Sequence, residues 1–198
     1  MKKYILDLTV RENTSPHEKY VLLKMTSDQP LPEMAPGQFA EIRIDGSQST
    51  LLRRPISINY VDYEKNEVWF LVAKVGEGTR TLAKVKAGDT VNVVLPLGNG
   101  FTMPENPCKV LLVGGGVGTA PVYPQAKWGH ENGIACDCVL GARTKELIFF
   151  EDKMREVVDN LYIMTDDGSY GEHGLVTNKI ENLVTVEGKK YSHCVAIG

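Results

Sequence analysis

The sequence predicts two folded parts in one chain, a small β-barrel over residues 1–103 and a parallel-sheet α/β domain over residues 108–198. Three observations predict it. Roughly six short strand-like segments with regularly spaced turn signals fill the first part. The composition shifts at Met103-Pro104-Glu105-Asn106-Pro107, where two prolines and polar residues read as a linker. Beyond it, apolar runs alternate with helix-length segments, the pattern of a parallel sheet with crossover helices.

In chain order, residues 3–10, 19–26 and 38–44 alternate as strands do. The loop 29–37 between the last two is crowded with backbone breakers. Residues 54–60 and 67–74 read as two more strands joined by a polar turn, and Ala87-Gly88-Asp89 turns the chain into a strand at 90–95. Trp69 and Phe70 are expected in the barrel core. After the linker come an apolar strand from Val110 and a helix from Ala120 to about Asn132, closed by Gly133. Pro124 is awkward inside that helix. A strand at 136–140, a helix at 151–160, a strand at 161–165, a helix near 178–183 and a last strand at 192–197 complete the pattern.

The bulk properties exclude several classes. The chain has 198 residues, 42% hydrophobic and 24% charged, which suits a globular protein with a real core. A net charge of −3 and no basic run argue against nucleic acid. No apolar stretch approaches the ~18 residues of a membrane span, and the N-terminus lacks a signal-peptide core, so the expected location is the cytoplasm. Four cysteines do not make a disulfide scaffold at this length.

Four stretches carry chemistry. At Gly114-Gly115-Gly116-Val117-Gly118-Thr119-Ala120-Pro121 a buried strand breaks into glycines and a helix starts, with Thr119 read as its N-cap. Such a turn lets a phosphate approach the backbone and meet free helical N–H groups. It departs from G-x-G-x-x-G, because Thr119 replaces the third glycine, and the next strand ends in Gly141-Ala142-Arg143 where a ribose-binding acid would stand. The bland alternative is a tight turn without ligand. Arg54-Pro55-Ile56-Ser57 offers a guanidinium for phosphate oxygens and a hydroxyl that donates and accepts, against a plain edge strand as the alternative. Gly78-Thr79 opens a short helix and makes a second anion site or a plain capped turn. Asp166-Asp167-Gly168-Ser169-Tyr170-Gly171 follows the third strand of the α/β part and so lies at the same sheet edge as the glycine turn.

Taken in chain order, Arg54-Pro55-Ile56-Ser57, then Gly78-Thr79, then the glycine turn at 114–121, then Asp166-Asp167-Gly168-Ser169-Tyr170-Gly171 resemble the ferredoxin reductase superfamily, and within it the family of electron-transfer subunits of type B dihydroorotate dehydrogenases. The resemblance spans nearly the whole chain. It implies a six-stranded antiparallel Greek-key barrel that binds FAD and an α/β domain that binds NAD(H). By analogy Arg54, Pro55, Ile56 and Ser57 meet FAD, Arg54 at its pyrophosphate and Ser57 near flavin N5. Leu71, Val72 and Ala73 would line the flavin, with Gly78 and Thr79 on its phosphates. Gly115, Gly116, Gly118 and Thr119 would face NAD, and Asp166 and Gly168 would border nicotinamide or ribose. Hydride transfer between the cofactors needs no catalytic side chain.

The family also carries a cysteine-rich C-terminal tail with a [2Fe-2S] cluster. Cys108, Cys136, Cys138 and Cys194 lack the C-x4-C-x2-C spacing of such a centre and read as core cysteines. The cluster is therefore expected in a longer full-length protein and not in this chain, which is expected to hold no metal. The implied partner is a catalytic subunit that oxidises dihydroorotate to orotate in pyrimidine synthesis. Gly141-Ala142-Arg143-Thr144-Lys145 and Ala196-Ile197-Gly198 lean instead toward the small subunit of NADH-dependent ferredoxin:NADP reductases, also called sulfide dehydrogenase, with ferredoxin or a large flavoprotein subunit as partner. A third reading is a nucleotide-binding assembly subunit without turnover. Arg143 and Lys145 stand where a ribose 2′-phosphate could lie, which leaves NADP open beside NAD(H). His17, His130, His173 and His193 read as scattered solvated or structural residues, and Lys153, Arg155 and Glu156 as a solvated helix face.

Overall fold

The computed structural model describes residues 2–47, 49–102 and 109–198 and divides the chain into two units, Met1–Gly100 and Phe101–Gly198. The linker reading at 103–107 and Cys108 lie outside the described residues.

The first unit holds β1 (Tyr4–His17), β2 (Tyr20–Thr26), β3 (Phe39–Ile42), β4 (Arg54–Ser57), β5 (Tyr60–Asp62), β6 (Glu67–Ala73), α1 (Glu77–Leu82) and β7 (Thr90–Leu97). They form one antiparallel sheet in the order β4-β3-β7-β1-β2-β6-β5. Period-two alternation places Leu8 and Val10, Val21, Leu23 and Met25, Val68, Phe70 and Val72, and Val91, Val93 and Leu95 on one buried face. Trp69 is correspondingly on the other face. It is buried there as expected, packed edge-on to Tyr60 at 5.1 Å and under the Lys24 ammonium at 4.6 Å.

The sheet has seven strands where six were expected. The run 54–60 breaks at a corner that alternation cannot register. There Ile58 donates its N–H to Gln38 O at 3.0 Å, and Asn59 donates to Trp69 O at 2.9 Å. Adjacent residues thus bond to chain beside β3 and to β6, which lie toward opposite ends of the strand order, and curl the sheet onto itself. β1 also runs seven residues past the expected end, through Arg11-Glu12-Asn13-Thr14-Ser15-Pro16-His17. This polar stretch has no hydrophobic signature; it is held because β2 offers it a ladder across a bulge after Val10. The breaker-rich loop before β3 is fastened by the β5–β6 turn. Asn66, at φ 54°, donates through Nδ2 to Ser27 O and Gln29 O and accepts from Leu31 N–H, while the Tyr63 hydroxyl accepts from Met34 N–H.

The second unit holds β8 (Val110–Gly115), α2 (Thr119–Glu131), β9 (Cys136–Ala142), α3 (Glu151–Arg155), β10 (Asn160–Thr165), β11 (Glu172–His173), α4 (Val176–Glu181) and β12 (His193–Ile197). The sheet is parallel throughout, in the order β11-β10-β9-β8-β12. Because β12 lies on the far side of β8 from β9, the strand order reverses at β8, where ligands of open α/β sheets bind. Pro124 stays inside α2. The helix expected over 151–160 stops at Arg155. Asp159 N–H turns to Cys136 O at 2.8 Å, and Asn160 starts β10 with its amide on Asp137.

Asp137 is a charged residue inside an otherwise apolar strand, and it has no solvent exposure. It accepts hydrogen bonds from Asn160 Nδ2 (2.7 Å), Lys189 Nζ (3.3 Å) and Tyr191 Oη (2.8 Å), and pairs with Lys109 at 2.7 Å. Burial alone would raise its pKa, but the bonds from Asn160, Lys109 and Tyr191 hold the carboxyl below the usual carboxylate range. This cluster ties the entries of β8, β9, β10 and β12 together at the N-terminal edge of the sheet, opposite the glycine turn. Among the described residues no helix is long and apolar enough to cross a membrane.

Candidate functional site

In the first unit the structure brings Arg54 and Gly78 into contact. A Cβ built on Gly78 would lie 2.9 Å from Arg54 Nε and 3.0 Å from Thr50 Cγ2, so only glycine leaves room for the guanidinium there. The first bond of α1 runs from Arg80 N–H to Gly76 O at 2.9 Å. The N–H groups of Glu77, Gly78 and Thr79 precede it and face the end of the helix. The Thr79 hydroxyl is bonded both ways to the Gly76 backbone at 3.1 Å, so Thr79 has its N–H to offer. The Glu77 carboxylate accepts from Ser49 and Ser47 hydroxyls, which lower its pKa and tie the loop before β4 to α1. Arg53 turns away from its neighbour to Asn92 and Glu41 O, so the two arginines do not act as a pair.

Elsewhere in this unit Pro55 and Ser57 are exposed at the edge of the sheet, and Ile56 packs against the core. Val72 is wholly buried in that core and can offer a ligand only its backbone. Leu71 and Ala73 take the opposite face of β6. β4 and β6 approach each other where the sheet curls.

In the second unit each glycine of the turn has its own reason. A Cβ on Gly114 would meet Thr119 Cα at 2.9 Å, and one on Gly118 would lie 2.2 Å from Ile197 O. Gly115 sits against Gly198 Cα. Gly116 has open space around it and needs glycine for its φ of 54°. The chain makes a short 3-10 turn over Gly116–Gly118 before α2 begins. Gly118 is therefore the N-cap, and Thr119, expected in that role, is the buried first helical residue against Gly114. The seat that the end of β12 makes for the turn had no signal in the sequence, since it joins residues some eighty apart.

Asp166 and Gly168 follow β10, at the same C-terminal edge and two strand spacings, about 10 Å, from β8. Asp166 N–H and Asp167 N–H donate to Ala142 O and Arg143 O, which pins this loop to the one after β9. Gly168 is exposed at φ 72°. Ser169 receives Lys145 N–H at 2.9 Å, and the Lys145 ammonium lies 5.0 Å over the Tyr170 ring. Arg143 is exposed beside them.

Cys136 and Cys138 are buried, and burial pushes the Cys136 thiol up to about 11 and raises Cys138 as well. Cys194, expected in the core, is exposed, because β12 is an edge strand. Among the described residues no group of three or more His, Cys, Asp or Glu side chains is arranged for a metal ion.

No protein-family model matches the chain. It is 42% identical over 170 residues to an uncharacterized protein in the adh 3′ region of Clostridium beijerinckii, covering 82% of this chain and 56% of that one. It is 44% identical over 149 residues to the dihydroorotate dehydrogenase B (NAD(+)) electron transfer subunit of Bacillus cereus, covering 74% and 57%. The chain thus spans little more than half the length of these curated relatives. A solved NADH-dependent reduced ferredoxin-NADP oxidoreductase superposes with a TM-score of 0.83 at 34% identity, over 96% of this chain and 67% of that one. The chain belongs to the ferredoxin–NADP reductase-like family, which takes in both that oxidoreductase and the electron-transfer subunits of dihydroorotate dehydrogenase B.

Proposed function

We propose that this chain is the FAD- and NAD(H)-binding part of a cytoplasmic electron-transfer subunit, moving electrons between NAD(H) and a partner catalytic subunit. The observation that carries the reading is the Arg54–Gly78 junction. A guanidinium lies against a glycine Cα at the start of α1, in a cradle that a Cβ would fill. This donor set fits a diphosphate. Arg54 would neutralise it, and the N–H groups of Gly78 and Thr79 would bind its oxygens. The exposed Ser57 hydroxyl would face the ring edge, and Leu71 and Ala73 would line its apolar side. The turn Gly115–Gly118 with the start of α2 would bind the second diphosphate, and Asp166 and Gly168 would border the nicotinamide or its ribose.

FAD, when bound, supplies hydride acceptance and onward release of electrons; the side chains orient and hold charge. The [2Fe-2S] centre is assigned to a further segment of the full-length protein. We assign the partner as a dihydroorotate-oxidising subunit, by kinship with the Bacillus cereus protein. The second reading, a small subunit working with ferredoxin or a large flavoprotein subunit, is favoured by the 96% coverage of this chain against the ferredoxin-NADP oxidoreductase. FAD titration, reduction by NADH against NADPH, and identification of the protein that co-purifies with the native subunit test these assignments. A chain that takes up no FAD would be an assembly subunit and would defeat the main reading.

A further inference from the structure

Gln38 is a primary amide with 1% exposure at the entry to β3. Burying an amide costs free energy unless its hydrogen bonds are met, so an apolar residue would fill this space more cheaply. Its bonds join three separate segments. Oε1 accepts from Ala35 N–H at 2.7 Å and Nε2 donates to Gly98 O at 3.0 Å. Its backbone N–H donates to Ala35 O at 3.2 Å, and its carbonyl accepts from Ile58 N–H at 3.0 Å. The next residue, Phe39, pairs across the ladder with Ser57, and its ring lies against Gly98, where a Cβ would come within 3.0 Å. The amide therefore locks the backbone to which the Ser57–Ile58 corner is bonded.

We propose that Gln38 is a positioning residue for Ser57, fixing where that exposed hydroxyl meets the flavin ring. The proposal rests on the FAD reading above. Ser57 closes a four-residue edge strand, and the Ile58 bond to Gln38 is its anchor on the β3 side just beyond that end. Loss of the amide frees the β3 entry from Gly98 and lets the hydroxyl drift, and displacements of about 1 Å at reacting groups cost up to about a hundredfold in rate.

The test is a double-variant cycle on the full chain loaded with FAD. Gln38→Leu should retain FAD, shift its visible absorption band and slow its reduction by NADH about tenfold. In a Ser57→Ala background the same change should move neither the band nor the rate. Gln38→Glu keeps the shape and the acceptor for Ala35 N–H but sets a carboxylate against Gly98 O; it should repeat the pattern and serves if the leucine variant does not fold. Equal effects with and without Ser57, no effect, or loss of FAD by both variants overturns the proposal and leaves the FAD reading intact. Failure of the unaltered chain to take up FAD overturns both.

Discussion

Replacing Asn66 by glycine and, separately, by alanine divides its contribution into two parts. Its side chain makes three bonds to the backbone of the loop before β3, at 2.8, 3.0 and 2.8 Å, from a residue at φ 54°. At about 1 kcal/mol net for each bond, and with water replacing part of the loss at this half-exposed turn, Asn66→Gly should cost about 2–3 kcal/mol while leaving the backbone unstrained. Asn66→Ala loses the same bonds and adds about 1 kcal/mol for holding a Cβ in the left-handed region, about 3–4 in all. Urea unfolding followed by Trp69 fluorescence reads the first unit; Trp128→Phe in both backgrounds removes the signal of the second. A glycine variant as stable as the parent would show that the side-chain bonds hold nothing. Coincident glycine and alanine variants would show that the positive φ carries no strain.

The other predictions concern the two diphosphate sites and the buried charge. Arg54→Ala should weaken FAD retention about 10- to 100-fold, the worth of a charge-assisted hydrogen bond, as measured by fluorescence titration; unchanged retention contradicts the cradle. Gly118→Ala drives a Cβ to 2.2 Å from Ile197 O, so β12 must shift; thermal unfolding should fall by several degrees and NADH binding should weaken in equilibrium titration. Asp137→Asn should cost about 2–4 kcal/mol, because it leaves Lys109 and Lys189 facing a neutral amide. Since the folded pKa of Asp137 is lowered, its stabilisation is complete above the unfolded value of about 4 and fades as pH falls below it. The Asp137→Asn variant should therefore show a flatter loss of stability in acid-titration calorimetry than the parent.

Regular alternation and glycine spacing made most of the elements readable. The alternating apolar residues of β2 and β7 announce a half-buried sheet, the continuous apolar run of β6 a strand buried on both faces, and the four glycines after Val113 a strand-to-helix turn. What escaped depends on partners distant in sequence. The polar end of β1 is a strand only because β2 lies beside it. Trp69 is buried as expected, but its parity with Phe70 puts it on the opposite face of β6, against Tyr60. Asp137 lies inside the strand expected at 136–140, but its partners are lysines from before β8 and before β12, which no local pattern joins to it. In the candidate sites, Arg54, Gly78 and Gly118 were legible as residue types in order. Thr79 and Thr119 were legible only as hydroxyls near a helix start, not as a residue bonded to its own cap and a residue buried in a first turn.

The corner at Ile58 and Asn59 acts like the clasp of a bracelet. With one amide hooked to the chain beside β3 and the next to β6, two adjacent residues hold both arms of the curled sheet. A lesion at the clasp would therefore loosen both arms at once.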